Sequence, residues 1–227
     1  MILGIHQPQY MPWLGYFDKI FKSDRFIFLD DVQYKKREYI NRNKIKTPQG
    51  SMWLTVPVLV KGKYEQKINE VAVNNTIGWQ NEHIKAIEHS YGNTPFFKEY
   101  FPLFEEVIRK DREYLWELNM EVIKVMLQIF QIEVPYSISS EMGVETEKTQ
   151  RLIDLCKESG ADEYLSGQGA KDYMEEEMFK DQGIKLNFQE FSSVEYDQNF
   201  GDFIPNLSAI DYIFNCGSGL FSKKKEE

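Results

Sequence analysis

Cysteine and long hydrophobic runs are both scarce in this chain of 227 residues. The two widely separated cysteines, Cys156 and Cys216, exclude a disulfide framework and a cysteine-ligated zinc site. The apolar stretches at 27–29 and 209–214 are far shorter than the ~18 residues that a membrane span needs. Residues 1–10 also lack the basic and apolar regions of a secretory signal. We therefore expect a cytoplasmic protein with no membrane insertion.

Positive charge is also in deficit. The chain has 27 Lys and Arg residues against 36 Asp and Glu residues, which gives a net charge of −9. A uniformly acidic protein repels phosphate backbones, so we expect no nucleic acid as a partner. Hydrophobic residues make up 42% and aromatic residues 15% of the chain. This composition excludes disorder and predicts a folded core.

The first 30 residues predict one βαβ unit. A short apolar strand at 2–5 leads into a loop that Pro8 and Pro12 keep irregular. From Trp13 the apolar residues recur at spacings of three and four, which predicts a helix. A second strand follows at 25–29, and strand, helix and strand in this order predict a parallel sheet.

The rest of the chain predicts a β insertion at 33–75, a helical segment at 78–130 and a second run of α/β elements. The predicted elements are strands at 52–60 and 68–73 joined by a turn at 61–63, three helical stripes within 78–130, a helix at 146–159, a strand at 161–165, a glycine-containing turn at 166–171 followed by another helix, and a strand at 183–188. We therefore predict one α/β domain over 1–221 with a parallel, Rossmann-like sheet, and a solvated tail at 222–227.

The loop after the first strand is the first candidate site, because ligands of open α/β sheets bind beyond the carboxyl ends of strands. His6 is suited to acid–base chemistry near neutral pH. The following helix N-terminus favours an anion. The alternative is that His6 satisfies a strand end and that Gln7 bonds within its own loop.

A basic stretch is the second candidate site. Glu38 is the sole acidic residue between positions 32 and 64, whereas Arg37, Arg42 and Lys44 belong to a run of basic residues. Arginine binds phosphate or carboxylate in bidentate geometry, and lysine binds as a point charge. The alternative is a solvated loop.

Two further candidates lie beyond predicted strands. Asp30 and Asp31 are suited to a ribose hydroxyl or a hydrated Mg²⁺ ion, or alternatively to a helix or turn cap. The turn that begins with Ser166 and Gly167 permits close backbone approach to a ligand. It lacks the spacing of a Walker loop or a dinucleotide fingerprint, so an ordinary strand-to-helix turn is the alternative.

Several segments together resemble the WbqC-like family. The opening HQPQYMPWLGYFDKI, which starts at His6, is similar to the signature of that family. Further similar segments recur along nearly the whole chain: DDVQY from Asp30, NRNKI from Asn41, WLTVPV from Trp53, YLSG from Tyr164 and LSAID from Leu207.

The resemblance implies a role in the biosynthesis of O-antigen and other surface polysaccharides. We expect an enzyme that acts on a nucleotide-activated sugar or another anionic small molecule, by acyl or aminoacyl transfer to a sugar amine. The alternatives are nucleotidyl transfer and a non-catalytic sugar-nucleotide-binding or assembly protein. The order of strand, loop and helix also resembles nucleotidylyltransferases of the HUP type, although Gly15 and Tyr16 stand where that group has a Gly-His pair.

These considerations predict a set of site residues. The predicted catalytic residues are His6, Asp30 and Asp31. The predicted substrate-binding residues are Gln7, Tyr10, Trp13, Lys19, Arg37, Asn41, Arg42, Lys44, Ser166 and Gly167. Whether Mg²⁺ or ATP is needed stays open, and no other metal is expected.

Overall fold

The computed structural model describes residues 1–171 and 174–221, so the predicted tail at 222–227 lies outside the described residues. The chain divides into two compact units. The sheet unit consists of residues 1–7, 16–31 and 133–192. The helical unit consists of residues 8–15, 32–132 and the described residues from 193 onward.

The secondary structure alternates between strands and helices at both ends of the chain. The strands are β1 Ile2–His6, β2 Arg25–Phe28, β3 Arg42–Thr47, β4 Gly50–Thr55, β5 Tyr136–Ile138, β6 Glu163–Ser166 and β7 Lys185–Phe188. The helices are α1 Leu14–Phe21, α2 Trp79–Tyr91, α3 Phe97–Arg109, α4 Leu115–Ile129, α5 Lys148–Glu158, α6 Glu176–Asp181 and α7 Ala209–Cys216.

The sheet unit contains a parallel five-stranded sheet in the order β5-β2-β1-β6-β7. The chain runs outward from β1 through β2 to β5 and then returns to build β6 and β7 on the other side of β1. This is the strand order of a Rossmann-like sheet, so the predicted fold class is confirmed. The narrower HUP-type assignment stays a prediction.

Helices of the sheet unit pack against an apolar cluster on the sheet, and a glycine in β1 permits a close approach of the chain. Leu3 and Ile5 of β1 belong to a buried apolar cluster that includes Ile153 of α5 and Phe179 of α6. A Cβ atom on Gly4 would lie 2.4 Å from the Ser23 Oγ atom. Only glycine therefore permits this approach of the chain to β1.

The helical unit contains the three predicted helices as α2, α3 and α4, and α3 also packs against α7. The structure corrects the predicted β insertion. The antiparallel partner of β4 is β3, which lies inside the basic stretch, and β4 ends at Thr55 rather than at residue 60. Residues Ile68–Glu70 form a 3₁₀ turn instead of a strand. The buried Ile68 and Val71 are three residues apart, which fits that turn rather than an alternating strand.

A buried polar network joins β3, α2 and α7 in the helical unit. Lys46 is 1% exposed, and its Nζ atom donates to the main-chain oxygens of Gly201 and Asp202 at 3.2 and 2.6 Å. The Lys46 main-chain N–H donates to the Tyr91 hydroxyl, which donates to the Asp211 carboxylate at 2.8 Å. The Tyr196 hydroxyl donates to the other oxygen of Asp211 at 2.7 Å. Burial nevertheless raises the pKa of Asp211.

Candidate functional site

The strand order reverses between β1 and β6, and a cavity of about 310 Å³ lies at the carboxyl ends of these strands. This is the position at which open parallel sheets bind ligands. The volume is at the lower end of the range for small-molecule sites. Every described residue that lines the cavity belongs to the sheet unit. The predicted site residues among them are His6, Gln7, Lys19, Ser166 and Gly167.

His6 is the last residue of β1 and is half-buried. Its Nδ1 atom lies 3.1 Å from the main-chain oxygen of Gln7. A carbonyl oxygen only accepts, so Nδ1 carries the proton and Nε2 keeps a free lone pair. Burial, with a smaller contribution from the Lys19 charge, lowers the pKa of His6 to about 3. His6 is therefore a neutral imidazole with a hydrogen-bond acceptor. Its ring packs against the Tyr16 ring in a T-shaped arrangement with 5.0 Å between the centroids.

Lys19 lies on α1 and is 2% exposed. Its Nζ atom donates to the main-chain oxygen of Ile5 at 2.7 Å and lies 5.9 Å from the centre of the Tyr164 ring. Within residues 1–171 and 174–221, no carboxylate pairs with this ammonium. Burial lowers the pKa of Lys19 to about 7. Lys19 is therefore a buried amine that changes its charge near neutral pH.

The neighbouring carboxylate in the sequence does not compensate Lys19. One oxygen of Asp18 lies 2.9 Å from the Nζ atom of Lys22 and accepts a hydrogen bond from Gln189 at 2.7 Å. Because both partners hold the same Oδ2 atom, the Asp18 carboxylate is fixed by residues other than Lys19.

Ser166 and Gly167 end β6 and begin the glycine-containing turn. The Ser166 side chain is fully buried, and its Oγ atom has no hydrogen-bond partner in the described part of the chain. Chain neighbours aside, no atom of a described residue lies within 4 Å of the place where a Cβ atom would stand at Gly167 or Gly169. The turn therefore combines a free hydroxyl group with open space above the backbone.

Asp30 and Asp31 bind other parts of the sheet unit. The Asp30 carboxylate accepts from the Ser140 N–H at 3.0 Å and from the Ser140 and Ser139 hydroxyls at 2.7 and 3.0 Å. Asp31 forms a buried ion pair with Arg151. Asp30 thus caps the turn at 139–141, which is the alternative that the sequence left open. Among the described residues, no cluster of three or more His, Cys, Asp or Glu side chains is arranged to hold a metal.

Tyr10 and Trp13 belong to the helical unit. Tyr10 is fully buried, and its hydroxyl group lies 2.9 Å from the Nδ1 atom of His83. The half-buried Trp13 ring covers Gly15, where a Cβ atom would lie 2.2 Å from the ring. The proline loop is held by Asn119, whose side chain donates to the main-chain oxygens of Pro8 and Ile40. Most of this loop is therefore core rather than an exposed binding loop.

The basic candidates also lie in the helical unit. The Arg42 guanidinium lies 4.1 Å from the centre of the Trp53 ring, and the Lys44 Nζ atom lies 5.0 Å from it. Arg42 also donates to the main-chain oxygen of Arg37. Arg37 itself is an exposed residue. Asn41 is buried and donates to the main-chain oxygen of Val56 at 2.8 Å. The structure thus places these residues in a different unit from His6 and Lys19.

The apolar walls of the cavity are not among the predicted site residues. Leu29, Leu152 and Met174 contribute to its lining together with Ile5 and Tyr164. Nothing in a single sequence separates such residues from ordinary core, because burial beside a cavity and burial in a core require the same side chains.

The fold defines a Rossmann-like α/β protein with a cavity at the reversal of strand order. A model of the WbqC-like protein family matches residues 7–221. The uncharacterized protein Rv1507c of Mycobacterium tuberculosis (strain ATCC 25618 / H37Rv) is 36% identical over 218 residues, which cover 95% of this chain and 94% of that protein. No solved structure matches the chain. The chain belongs to the WbqC-like family. None of its described helices is both long and apolar enough to cross a membrane.

Proposed function

We propose that this protein is an enzyme of surface-polysaccharide biosynthesis that acts on a nucleotide-activated sugar at the cavity between β1 and β6. The observation that carries this proposal is the cavity's position at the carboxyl ends of two parallel strands, where the strand order reverses. Nucleotide ligands of doubly wound sheets bind at this position. Membership in the WbqC-like family supports a role related to O-antigen.

Acyl or aminoacyl transfer to a sugar amine is the reaction that we propose. The amine attacks the acyl carbon of an activated donor through its lone pair. As the new C–N bond forms, the bond from that carbon to the donor's leaving group breaks, and the amine gives up its proton to the departing group or to solvent. The neutral His6 offers the Nε2 lone pair as an acceptor for an N–H of the attacking amine. Its pKa of about 3 makes His6 a weak base, so its proposed role is to orient the amine.

Nucleotidyl transfer with Mg²⁺ on Asp30 or Asp31 receives less support. Asp30 holds the turn at 139–141, and Asp31 holds Arg151. A metal would have to displace these contacts, so Asp30 and Asp31 have no catalytic role in this proposal.

The proposal is tested with a panel of dTDP-, UDP-, GDP- and CDP-sugars in thermal unfolding. A ligand present at 100 times its Kd stabilises the folded state by ~2.7 kcal/mol, which is a readily measured shift. The best ligand is then incubated with acyl and aminoacyl donors, and the products are analysed by mass spectrometry. We expect His6→Gln to lower turnover by about 10²-fold and the exposed His89→Gln to leave it unchanged.

Three outcomes decide the proposal. Stabilisation by a sugar nucleotide with turnover that depends on His6 supports it. Saturable binding without turnover under any donor favours a non-catalytic binding protein of the same pathway. The absence of stabilisation by every sugar nucleotide contradicts the proposal.

A further inference from the structure

The cavity contains a buried cationic side chain whose counter-charge is absent from the described part of the protein. Lys19 is 2% exposed, and its Nζ atom makes one hydrogen bond, to the main-chain oxygen of Ile5. A buried ammonium without a carboxylate partner is costly, because a carbonyl oxygen supplies a dipole but no charge. The Lys19 side chain thus keeps N–H groups for a further acceptor.

Two other polar groups of the cavity have unused hydrogen-bonding capacity. The Ser166 Oγ atom is fully buried and has no partner among the described residues. The His6 Nε2 atom has a free lone pair, because Nδ1 is the atom bonded to Gln7. Buried polar groups are normally paired, so the Ser166 hydroxyl group in the cavity wall is available to a ligand or a water molecule that enters the cavity.

The surroundings of these groups strengthen an electrostatic interaction. Ile5, Leu29 and Leu152 form apolar walls, and no acidic side chain is among the cavity-lining residues that the structure describes. The described titratable groups that line the cavity with Lys19 are His6 on β1 and Tyr164 on β6. Among the described lining residues, a negative charge brought into this cavity would face one cation and no competing anion in a medium of low dielectric constant.

We propose that the cavity binds an oxyanion, a phosphate or a carboxylate group of the substrate, which pairs with Lys19 and accepts a hydrogen bond from the Ser166 hydroxyl. This inference rests on the proposed function for the site, and it names the chemical group that enters the cavity. A phosphate would come from the nucleotide, and a carboxylate would come from an acyl or aminoacyl donor or from an acidic sugar.

Pairing with an anion stabilises the charged form of Lys19, so binding must be coupled to protonation. At pH 8 the amine is mostly neutral in the free protein, because its pKa is about 7. We therefore expect the binding of an oxyanion at pH 8 to take up close to one proton per site. A site that binds anions through permanently charged side chains takes up none.

The experiment is calorimetric titration of the full chain at pH 8 with inorganic pyrophosphate and, separately, with acetate and glycine. Each titration is repeated in two buffers with different heats of ionisation, which gives the number of protons taken up. We expect Lys19→Met to weaken binding at least tenfold and to abolish the proton uptake. The matched control is Lys22→Met, which removes an exposed lysine directly after the last residue of α1, the helix that carries Lys19.

Ser166→Ala probes the cavity without removing a charge, so it serves if Lys19→Met does not fold. We expect it to weaken anion binding a few-fold and to leave the proton uptake in place. Binding of pyrophosphate alone identifies the nucleotide as the source of the anion, and binding of acetate or glycine identifies the donor or an acidic sugar. The inference is overturned if no anion binds, if binding takes up no proton, or if Lys19→Met or Ser166→Ala binds like the wild type.

These probes separate the inference from the proposed function. Anion binding with proton uptake in a protein that no sugar nucleotide stabilises would contradict the proposed function and support the anion site. Sugar-nucleotide turnover that is unaffected by Lys19→Met would support the proposed function and contradict the anion site.

Discussion

Two lysines are buried to the same degree in different units of this protein, and their surroundings differ. Lys46 in the helical unit is 1% exposed and Lys19 in the sheet unit is 2% exposed. Lys46 donates to two carbonyl oxygens, and its charge stabilises the ionised form of Asp211. Lys19 has one carbonyl oxygen and no described carboxylate. Lys46 is paired within the core, whereas Lys19 is left to pair with an anion from outside the chain.

The difference shows how to separate structural from functional polar groups. Burying an ion costs several kcal/mol, and a folded protein offsets that cost where the group serves stability. A buried charge without such an offset is typical of a functional site, where it interacts with a ligand in the adjacent cavity.

Removal of the compensated lysine has the largest expected effect. Lys46→Met leaves two carbonyl oxygens without a donor and the Asp211 carboxylate without its cation, so we expect a loss of about 3 kcal/mol of folding free energy. Denaturant unfolding measures this loss. The control Lys44→Met removes a cation–π contact on the same strand and should cost about 1 kcal/mol or less. Equal losses in the two variants would contradict the structural role of Lys46.

Removal of the uncompensated lysine should have an effect that depends on pH. Below pH 7 Lys19 is protonated in both states, and the folded state carries the full cost of burying its charge. Between the folded pKa of about 7 and the unfolded value of 10.5, the unfolded state binds more protons, so stability rises with pH. We expect the wild type to gain about 2 kcal/mol relative to Lys19→Met between pH 7 and pH 9. A difference independent of pH would show that Lys19 is compensated.

Tyr91→Phe weakens the network around Lys46 without removing a charge. The substitution deletes the hydroxyl group that connects the Lys46 main chain to Asp211. We expect it to cost about 1–2 kcal/mol and to raise the pKa of Asp211 further, because a donor to the carboxylate is lost. Thermal unfolding measures the cost, with Tyr64→Phe as the control, since Tyr64 is 86% exposed. If Tyr91→Phe is as stable as the wild type, the Tyr91 hydroxyl does not stabilise the network, and Tyr196 alone stabilises the Asp211 carboxylate.

Ser166→Ala should have the smallest effect on stability, within about 0.5 kcal/mol, because its hydroxyl group has no hydrogen-bond partner among the described residues. Ser139→Ala is the matched variant, since the Ser139 hydroxyl accepts from the Asp30 N–H and lies within hydrogen-bond distance of the Asp30 and Asp31 carboxylates, to one of which it donates. Chemical denaturation should separate the two serines clearly. A large loss for Ser166→Ala would mean that its hydroxyl group stabilises the fold.

The sequence predicts the sheet unit better than the helical unit because its signals are local. The strand β1, the helix α1 and the strand β2 follow one another within about 30 residues, and each has its own periodicity or breaker. The hairpin was misplaced because β3 alternates Arg42, Lys44 and Lys46 with mostly polar neighbours. Its pairing with β4 therefore has little hydrophobic pattern to reveal it.

The site follows the same division between local and distant information. His6, Gln7, Ser166 and Gly167 were predictable because they come directly after strands, where parallel sheets bind ligands. The lack of a described carboxylate partner for Lys19 was not predictable. Asp18 precedes Lys19 in the sequence, and its pairing with Lys22 and Gln189 exists only in the folded protein. Tyr10 was predicted as a binding residue from its loop, and its burial against His83 depends on α2, about 70 residues away.

The pairing of β1 with β6 has a consequence for the order of folding. Ile2 pairs with Glu163, about 160 residues later in the chain, and the pairing of β2 with β5 spans about 110 residues. Contacts this distant must close long loops before they contribute, which slows folding. During synthesis β1 and β2 emerge first, and one edge of β1 stays unpaired until β6 has been made. The cavity between β1 and β6 therefore cannot form until about three quarters of the chain exists.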